Sequence, residues 1–302
     1  MAFGDFNAIC NQTALPLCQV VSEAGGITYK YINDGILPVC YARSIEVANT
    51  VIFEIGNAFV NIGALVFLII IIYNIRSKYT AIGRLEMLFY YHIITALVIC
   101  TLVVDCGVSP PGSSSYPWFV ALQLALASGS CWCLMVCGLL GFRLWEDGTS
   151  RSLWFLRISS FLAGALTFVI AILTFKDFIK NGTMNRTNTL GLFIVAYIFN
   201  AVFLVVYIVL QVILTLAIIK NYWVLGVIGL SITSFVIGQI FLYVLSKNIC
   251  EGVKHYLDGL FFASLCNLFS VMMVYKFWDM TTDDDLEFSI SINRNGEISY
   301  EK

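Results

Sequence analysis

Apolar residues run along this chain in long blocks separated by short polar stretches. A helix that crosses a membrane needs about 20 mostly apolar residues. Seven blocks reach that length: about 47–74, 85–105, 118–142, 153–175, 189–219, 222–245 and 256–277. The fifth carries no charge from Thr187 to Ile219, long enough to tilt in a bilayer. Only Lys220 and Asn221 separate it from the sixth, which predicts a tight helical hairpin. Glu86 and His92 lie in the second block and Asp258 opens the seventh, so six spans is the alternative count. The pattern predicts an all-α polytopic membrane protein, a seven-helix transmembrane bundle over 47–277. Residues 1–46 precede it and an acidic tail, 278–302, follows. In the tail, Leu286, Phe288, Ile290 and Ile292 alternate with polar residues, Asn295-Gly296 is a turn signal, and Ile298 and Tyr300 resume the alternation. That predicts a small β-hairpin over 286–301.

Composition supports the membrane reading. Hydrophobic residues make up 59% of the chain and charged residues 12%, about half the usual share for a soluble domain. A net charge of −2 offers no basic surface for nucleic acid. The first twenty residues lack a basic stretch followed by a long apolar core, so the first helix is expected to act as the targeting signal, with no cleaved signal peptide.

Loop charge orients the bundle. Arg76, Lys78 and Arg84 follow the first block, and Arg143, Arg151 and Arg157 follow the third, which places odd-numbered loops in the cytosol. Lys176, Lys180 and Arg186 after the fourth block disagree, but that loop also holds the glycosylation patterns at Asn181 and Asn185, and a third lies at Asn11. With the N-terminus lumenal and the C-terminus cytosolic, Cys10, Cys18, Cys40, Cys106 and Cys250 all face the oxidising side. Spacing does not fix connectivity. A Cys106–Cys250 bridge plus one bridge among Cys10, Cys18 and Cys40 is the expectation, and five free thiols the alternative.

No catalytic or metal-binding set stands out. The chain has two histidines, His92 and His255, with neither an H-E-x-x-H motif nor a phosphate-binding glycine loop. Cys131, Cys133 and Cys137 share one helix without partner ligands and read as packing residues. The last helix has no central lysine for retinal; Lys276 stands at its end. The receptor signatures Asp/Glu-Arg-Tyr and Asn-Pro-x-x-Tyr are replaced by Phe142-Arg143-Leu144-Trp145 and by Asn267-Leu268-Phe269-Ser270-Val271. No proline follows Pro117, which favours a stiff bundle over the broken helices of transporters. No enzyme activity and no cofactor are therefore expected. Glu54, Asn57 and Asn61 share one helix face, and Asn200, Gln211, Gln239 and Asn267 sit in later spans. Hydrogen bonds between helices explain them better than a polar channel. Ala125-x-x-x-Gly129, Ser160-x-x-x-Gly164 and Ser234-x-x-x-Gly238 let helices approach closely, within the bundle or against a partner's helix.

The loop-flanking segments carry a family resemblance. They are Cys40-Tyr41-Ala42-Arg43-Ser44, Tyr79-Thr80-Ala81-Ile82-Gly83-Arg84, Val104-Asp105-Cys106-Gly107 through Pro110-Pro111-Gly112, Leu144-Trp145-Glu146-Asp147-Gly148, Ile249-Cys250-Glu251-Gly252 through Asp258-Gly259, and the tail from Trp278. In this order and spacing they resemble the fungal chitin synthase export chaperones. The resemblance implies a multi-pass endoplasmic reticulum protein without enzymatic activity. It would bind a chitin synthase, prevent its aggregation and permit its exit for cell-wall synthesis, with travel beside its client to the plasma membrane as an extension. Helix faces would supply most of the contact, in a shell of membrane lipids. Trp278, Asp279, Asp283, Asp284, Asp285 and Glu287 of the tail would add specificity, with Trp145, Glu146 and Asp147 as a second candidate contact. Asp285-Leu286-Glu287 also fits the acidic-x-acidic pattern read by vesicle-coat export machinery. The competing reading is a small-molecule or lipid transporter or receptor, in which Glu54, His92 and Asp258 line a cavity.

Overall fold

The computed structural model describes residues 4–22, 35–36, 38–47, 50–52, 54–79, 81–142, 149–176, 185–220 and 222–300. The chain opens with a short helix α1 (Asn7–Gln12), a 3-10 turn (Pro16–Gln19) and an antiparallel ribbon of β1 (Ile45–Val47) and β2 (Thr50–Ile52). The first four spans are α2 (Ile55–Ser77), α3 (Arg84–Asp105), α4 (Tyr116–Leu140) and α5 (Ser150–Lys176). The fifth joins α6 (Leu190–Phe193), a π-helical segment (Ile194–Ile198), α7 (Phe199–Leu214) and a second π segment (Thr215–Ile219). The sixth is α8 (Tyr222–Tyr243); after a short α9 (Ser246–Gly252), α10 (Gly259–Tyr300) supplies the seventh. Among the described residues seven helical stretches are long and apolar enough to cross a membrane.

The first span begins at Ile55, later than the apolar run suggests. Ile45, Val47, Thr50, Val51 and Ile52 are all β-branched, a composition that suits a pleated ribbon, and Ile45 pairs with Ile52. Glu54 then takes a left-handed conformation (φ +48°), which separates ribbon from helix. Along α2 the buried positions include Asn57, Asn61, Ala64, Leu68, Ile71 and Ile75, alternating steps of four and three that mark one helix face. Phe59, Ile62, Val66, Ile69 and Tyr73 face outward, toward lipid.

Lipid tails are as apolar as leucine, so close packing and hydrogen bonds hold these helices together. The small-residue motifs do this inside the bundle. α4 and α5 interlock through theirs: a Cβ on Gly129 would lie 3.3 Å from the Ser160 carbonyl oxygen, and one on Gly164 would lie 3.0 Å from that of Ala125. α8 meets α10 likewise. Ser234 Oγ donates to the Cys266 carbonyl at 2.9 Å, a Cβ on Gly238 would lie 3.0 Å from Cys266 Cβ, and the Ser231 and Ser270 hydroxyls meet at 3.0 Å. These three grooves are therefore filled within the bundle.

Two features depart from the sequence expectation. The tail forms no β-hairpin: α10 continues as helix to Tyr300. Nothing between Gly259 and Gly296 breaks a helix, and extending an existing helix costs far less than building a lone hairpin in water. The fifth span is interrupted by its two π segments although it contains no proline, a form of irregularity common at functional sites.

Candidate functional site: a polar cavity between two clamped ends

The N-terminal segment packs onto the adjoining ends of the spans. Phe6, Cys10, Leu17 and Cys18 form one core with Tyr116, Val120, Phe175 and Leu192. Phe6 meets the rings of Phe193 and Tyr197 at 5.7 and 5.5 Å, and Thr189 Oγ1 donates to the Gly4 carbonyl at 2.9 Å. Two disulfides fasten this end: Cys10–Cys18, with Cα atoms 5.4 Å apart, and Cys40–Cys250, with Cα atoms 6.0 Å apart. Cys250 is thus bridged to Cys40 and not to Cys106. The chain after Cys40 lies along the loop between the sixth and seventh spans, where Arg43 N donates to the His255 carbonyl at 2.8 Å and the Arg43 guanidinium sits 5.4 Å over the Tyr256 ring. Cys106 is free; burial, then the Asp105 carboxylate, push its thiol pKa up. Disulfides persist in oxidising compartments, which agrees with the orientation expected from loop charge, with this end lumenal and the C-terminus cytosolic.

Beneath the N-terminal segment, α2, α3, α4 and α10, with Tyr197 of the fifth span, line a half-open cavity of about 340 Å³. Leu15, Pro16 and Leu17 lie at its lumenal end, held by the Tyr116 hydroxyl, which donates to the Pro16 carbonyl at 3.3 Å. A polar chain crosses three helices there: Ser264 Oγ donates to Asn57 Oδ1, and Asn57 Nδ2 donates to Asp105 Oδ2, both at 2.5 Å. Gln123 Nε2 donates to Thr101 Oγ1 at 3.1 Å. Asn61 Nδ2 and Asn267 Oδ1, on opposite helices, are buried without a partner. Deeper in, the walls are Ala64, Leu68, Ile94, Leu97, Val98 and Val271. Glu54 and Asp258 lie near Asp105 without lining the cavity. Burial, then repulsion from Asp105 and Asp258, hold the Glu54 carboxyl well above the usual carboxylate range. Burial raises Asp258 too, opposed by backbone amides; its Oδ1 caps α10 through the Phe261 N–H at 3.2 Å. His92 does not join them: it is exposed, bound to the Leu88 carbonyl of its own helix.

The cytosolic end is clamped by residues that the sequence suggested for partner contact. Trp278 is 8% exposed, and its Nε1 donates to the Ile82 carbonyl at 3.0 Å. Asp279 pairs with Lys78 across the bundle and with Lys276 at 2.9 Å. Trp278 and Asp279 thereby tie the end of the seventh span to the first cytosolic loop. Asp283, Asp284, Asp285 and Glu287 continue α10, of which only the backbone is described there. Trp145, Glu146, Asp147 and Asn181 lie outside the described residues. Asn11 is exposed on α1, and Asn185 forms a bridge with Asn188.

A seven-span helical bundle, disulfide-tied at one end, defines an integral membrane protein. The family model described as chitin synthase export chaperone matches residues 2–292. The chitin synthase export chaperone of Saccharomyces cerevisiae is 52% identical over all of this chain and 99% of its own length. That of Kluyveromyces lactis is 55% identical over 97% of this chain and 96% of its own, and that of Candida albicans 53% over 96% and 93%. No solved structure matches. The chain belongs to the chitin synthase export chaperone family, a family of export factors and not of enzymes.

Proposed function

We propose that this protein binds a chitin synthase within the endoplasmic reticulum membrane, keeps it from aggregating and lets it leave for the cell surface. A synthase that threads a polymer through the bilayer carries polar surface on its helices. Such surface is costly in lipid until a partner covers it. The reading rests on the match of nearly the whole chain to the family.

The face best suited to the client is the hairpin of the fifth and sixth spans. Only 11% and 17% of their most apolar windows are buried inside the protein, against 56% for the third span. Val202, Val205, Val209 and Ile213 are exposed on α7, and Leu230, Ile237 and Ile240 on α8. A cleft of about 70 Å³ beside this hairpin, lined by Tyr207, Phe235, Ser231 and Ser270, offers a notch for a client side chain. The Gly and Ser grooves are filled internally, so we assign the partner to this face and the cytosolic tail, with Trp145, Glu146 and Asp147 as the second candidate contact. Coat proteins would read Asp285-Leu286-Glu287.

Photo-crosslinking amino acids at Val205, Val209 and Ile237 should capture chitin synthase, whereas the same group at Phe59 or Ile69 of α2 should capture lipid. Equal capture from both faces would remove the assignment. The tail is tested separately. Alanine at Asp283, Asp284, Asp285 and Glu287 should retain synthase in the endoplasmic reticulum, and normal delivery to the surface would rule the tail out.

A further inference from the structure

We propose that the cavity between α2, α3, α4 and α10 is a binding site for a single-chain amphiphile with a cationic amino headgroup. It goes beyond the family's export role and is independent of where the client binds.

The cavity is divided in the way such a molecule is. Its lumenal third presents Asp105, Asn61, Asn267 and Gln123, while its inner part is Leu68, Ile94, Leu97 and Val271. No lysine, arginine or histidine is among the described residues that line it. Asp105 is nearly fully buried with one neutral partner, Asn57, and Glu54 and Asp258 lie near enough to repel it. One carboxyl among those walls, Asp105, with no lysine, arginine or histidine among the described lining residues to neutralise it, favours a positive guest and disfavours an anionic one. The unpartnered side chains define the rest of the headgroup. Asn61 is 93% buried, being 7% exposed, and lines the cavity with a free Nδ2 donor; Asn267 lines it too, with its Oδ1 near Gly238 of α8. Buried groups of this kind cost free energy until they are paired. A headgroup with an ammonium and a hydroxyl serves both Asp105 and Asn61: it donates to the carboxyl and accepts from the amide. From Asn57 to Leu68 the wall rises about 16 Å along α2, so a chain entering head-up reaches the apolar part. A volume of 340 Å³ lies at the low end of small-ligand sites, about 300–1,000 Å³, which suits one hydrocarbon chain and not a two-chain phospholipid.

The test uses the full-length protein, purified in dodecylmaltoside, and radiolabelled sphinganine, a single-chain amino diol. Saturable binding near one per protein is expected. The fatty alcohol of matched length and lysophosphatidic acid should each compete about tenfold or more less well than unlabelled sphinganine, because a charge-assisted hydrogen bond is lost or reversed. Asp105→Asn and Asn61→Leu should each weaken binding about tenfold or more, judged on protein whose two disulfides and melting temperature match the parent. Absence of saturable binding overturns the proposal. So does equal competition by the alcohol or the phosphate, or undiminished binding in both folded variants. The competition series needs no variant, so it decides the matter even where a substitution prevents folding.

Discussion

Gly164 gives the sharpest test of how the bundle is held together. In α5 it faces the Ala125 carbonyl of α4, and a Cβ there would stand 3.0 Å from that oxygen. Ordinary contact begins near 3.4 Å, so alanine must push the two backbones apart by a few tenths of an ångström. A gap of 0.5–1 Å already forfeits roughly a quarter to a half of each dispersion contact across a pair. For Gly164→Ala this loss is offset by the gain of alanine over glycine in a helix, about 0.8–1 kcal/mol, and the net effect should be small. Gly164→Leu places three more carbons in the same groove and should cost about 1–3 kcal/mol or more. Gly63 of α2 is the control, since a Cβ added to it would meet nothing within 4 Å; Gly63→Leu should be neutral or slightly stabilising. Reversible unfolding in mixed micelles with increasing dodecyl sulfate would read all three. If Gly164→Leu unfolds at the same detergent fraction as Gly63→Leu, the interlocked motifs do not hold α4 to α5.

Trp278→Ala should destabilise the protein by about 3 kcal/mol through lost packing, and Trp278→Phe by about 1 kcal/mol through loss of the bond to the Ile82 carbonyl, both measured by the same unfolding assay. Cys250→Ser should leave Cys40 open to maleimide on the lumenal side while Cys10 and Cys18 stay protected; mass spectrometry after labelling distinguishes this from a Cys106 pairing. Glu54 and Asp258 have carboxyl groups raised above their unfolded values. Such groups add stability that is complete below the unfolded pKa and is lost as pH rises through the folded one. The melting temperature should therefore be higher near pH 5 than near pH 7.5, and the double variant Glu54→Gln, Asp258→Asn should flatten that slope.

Much of the bundle was legible because its determinants are local. The seven spans follow from run length, and the inward face of α2 from the spacing of Asn57 and Asn61. The motifs at Gly129, Gly164 and Gly238 announced close helix contacts, though only the fold says which helices they join. What stayed hidden depends on residues far apart in the chain. Cys40 finds Cys250 across 210 residues because Arg43 docks on the loop at His255, a contact no spacing encodes. The cavity draws Asn57, Asp105 and Ser264 from three helices. Trp278 and Asp279 looked like exposed tail residues because a short polar stretch follows them, yet their partners, Ile82 and Lys78, lie in the first cytosolic loop. The ribbon of β1 and β2 was hidden for another reason. An apolar β-branched run before a membrane helix reads the same whether it continues the helix or not.

The central claim is that this chain exists to hold one large membrane enzyme. The most direct measurement is to purify it at native abundance in a mild detergent and identify what comes with it. Chitin synthase should come with it in stoichiometric amount, and should be lost when bulky polar residues replace Val205, Val209 and Ile237. A preparation free of synthase, with a small molecule as its sole companion, would contradict it.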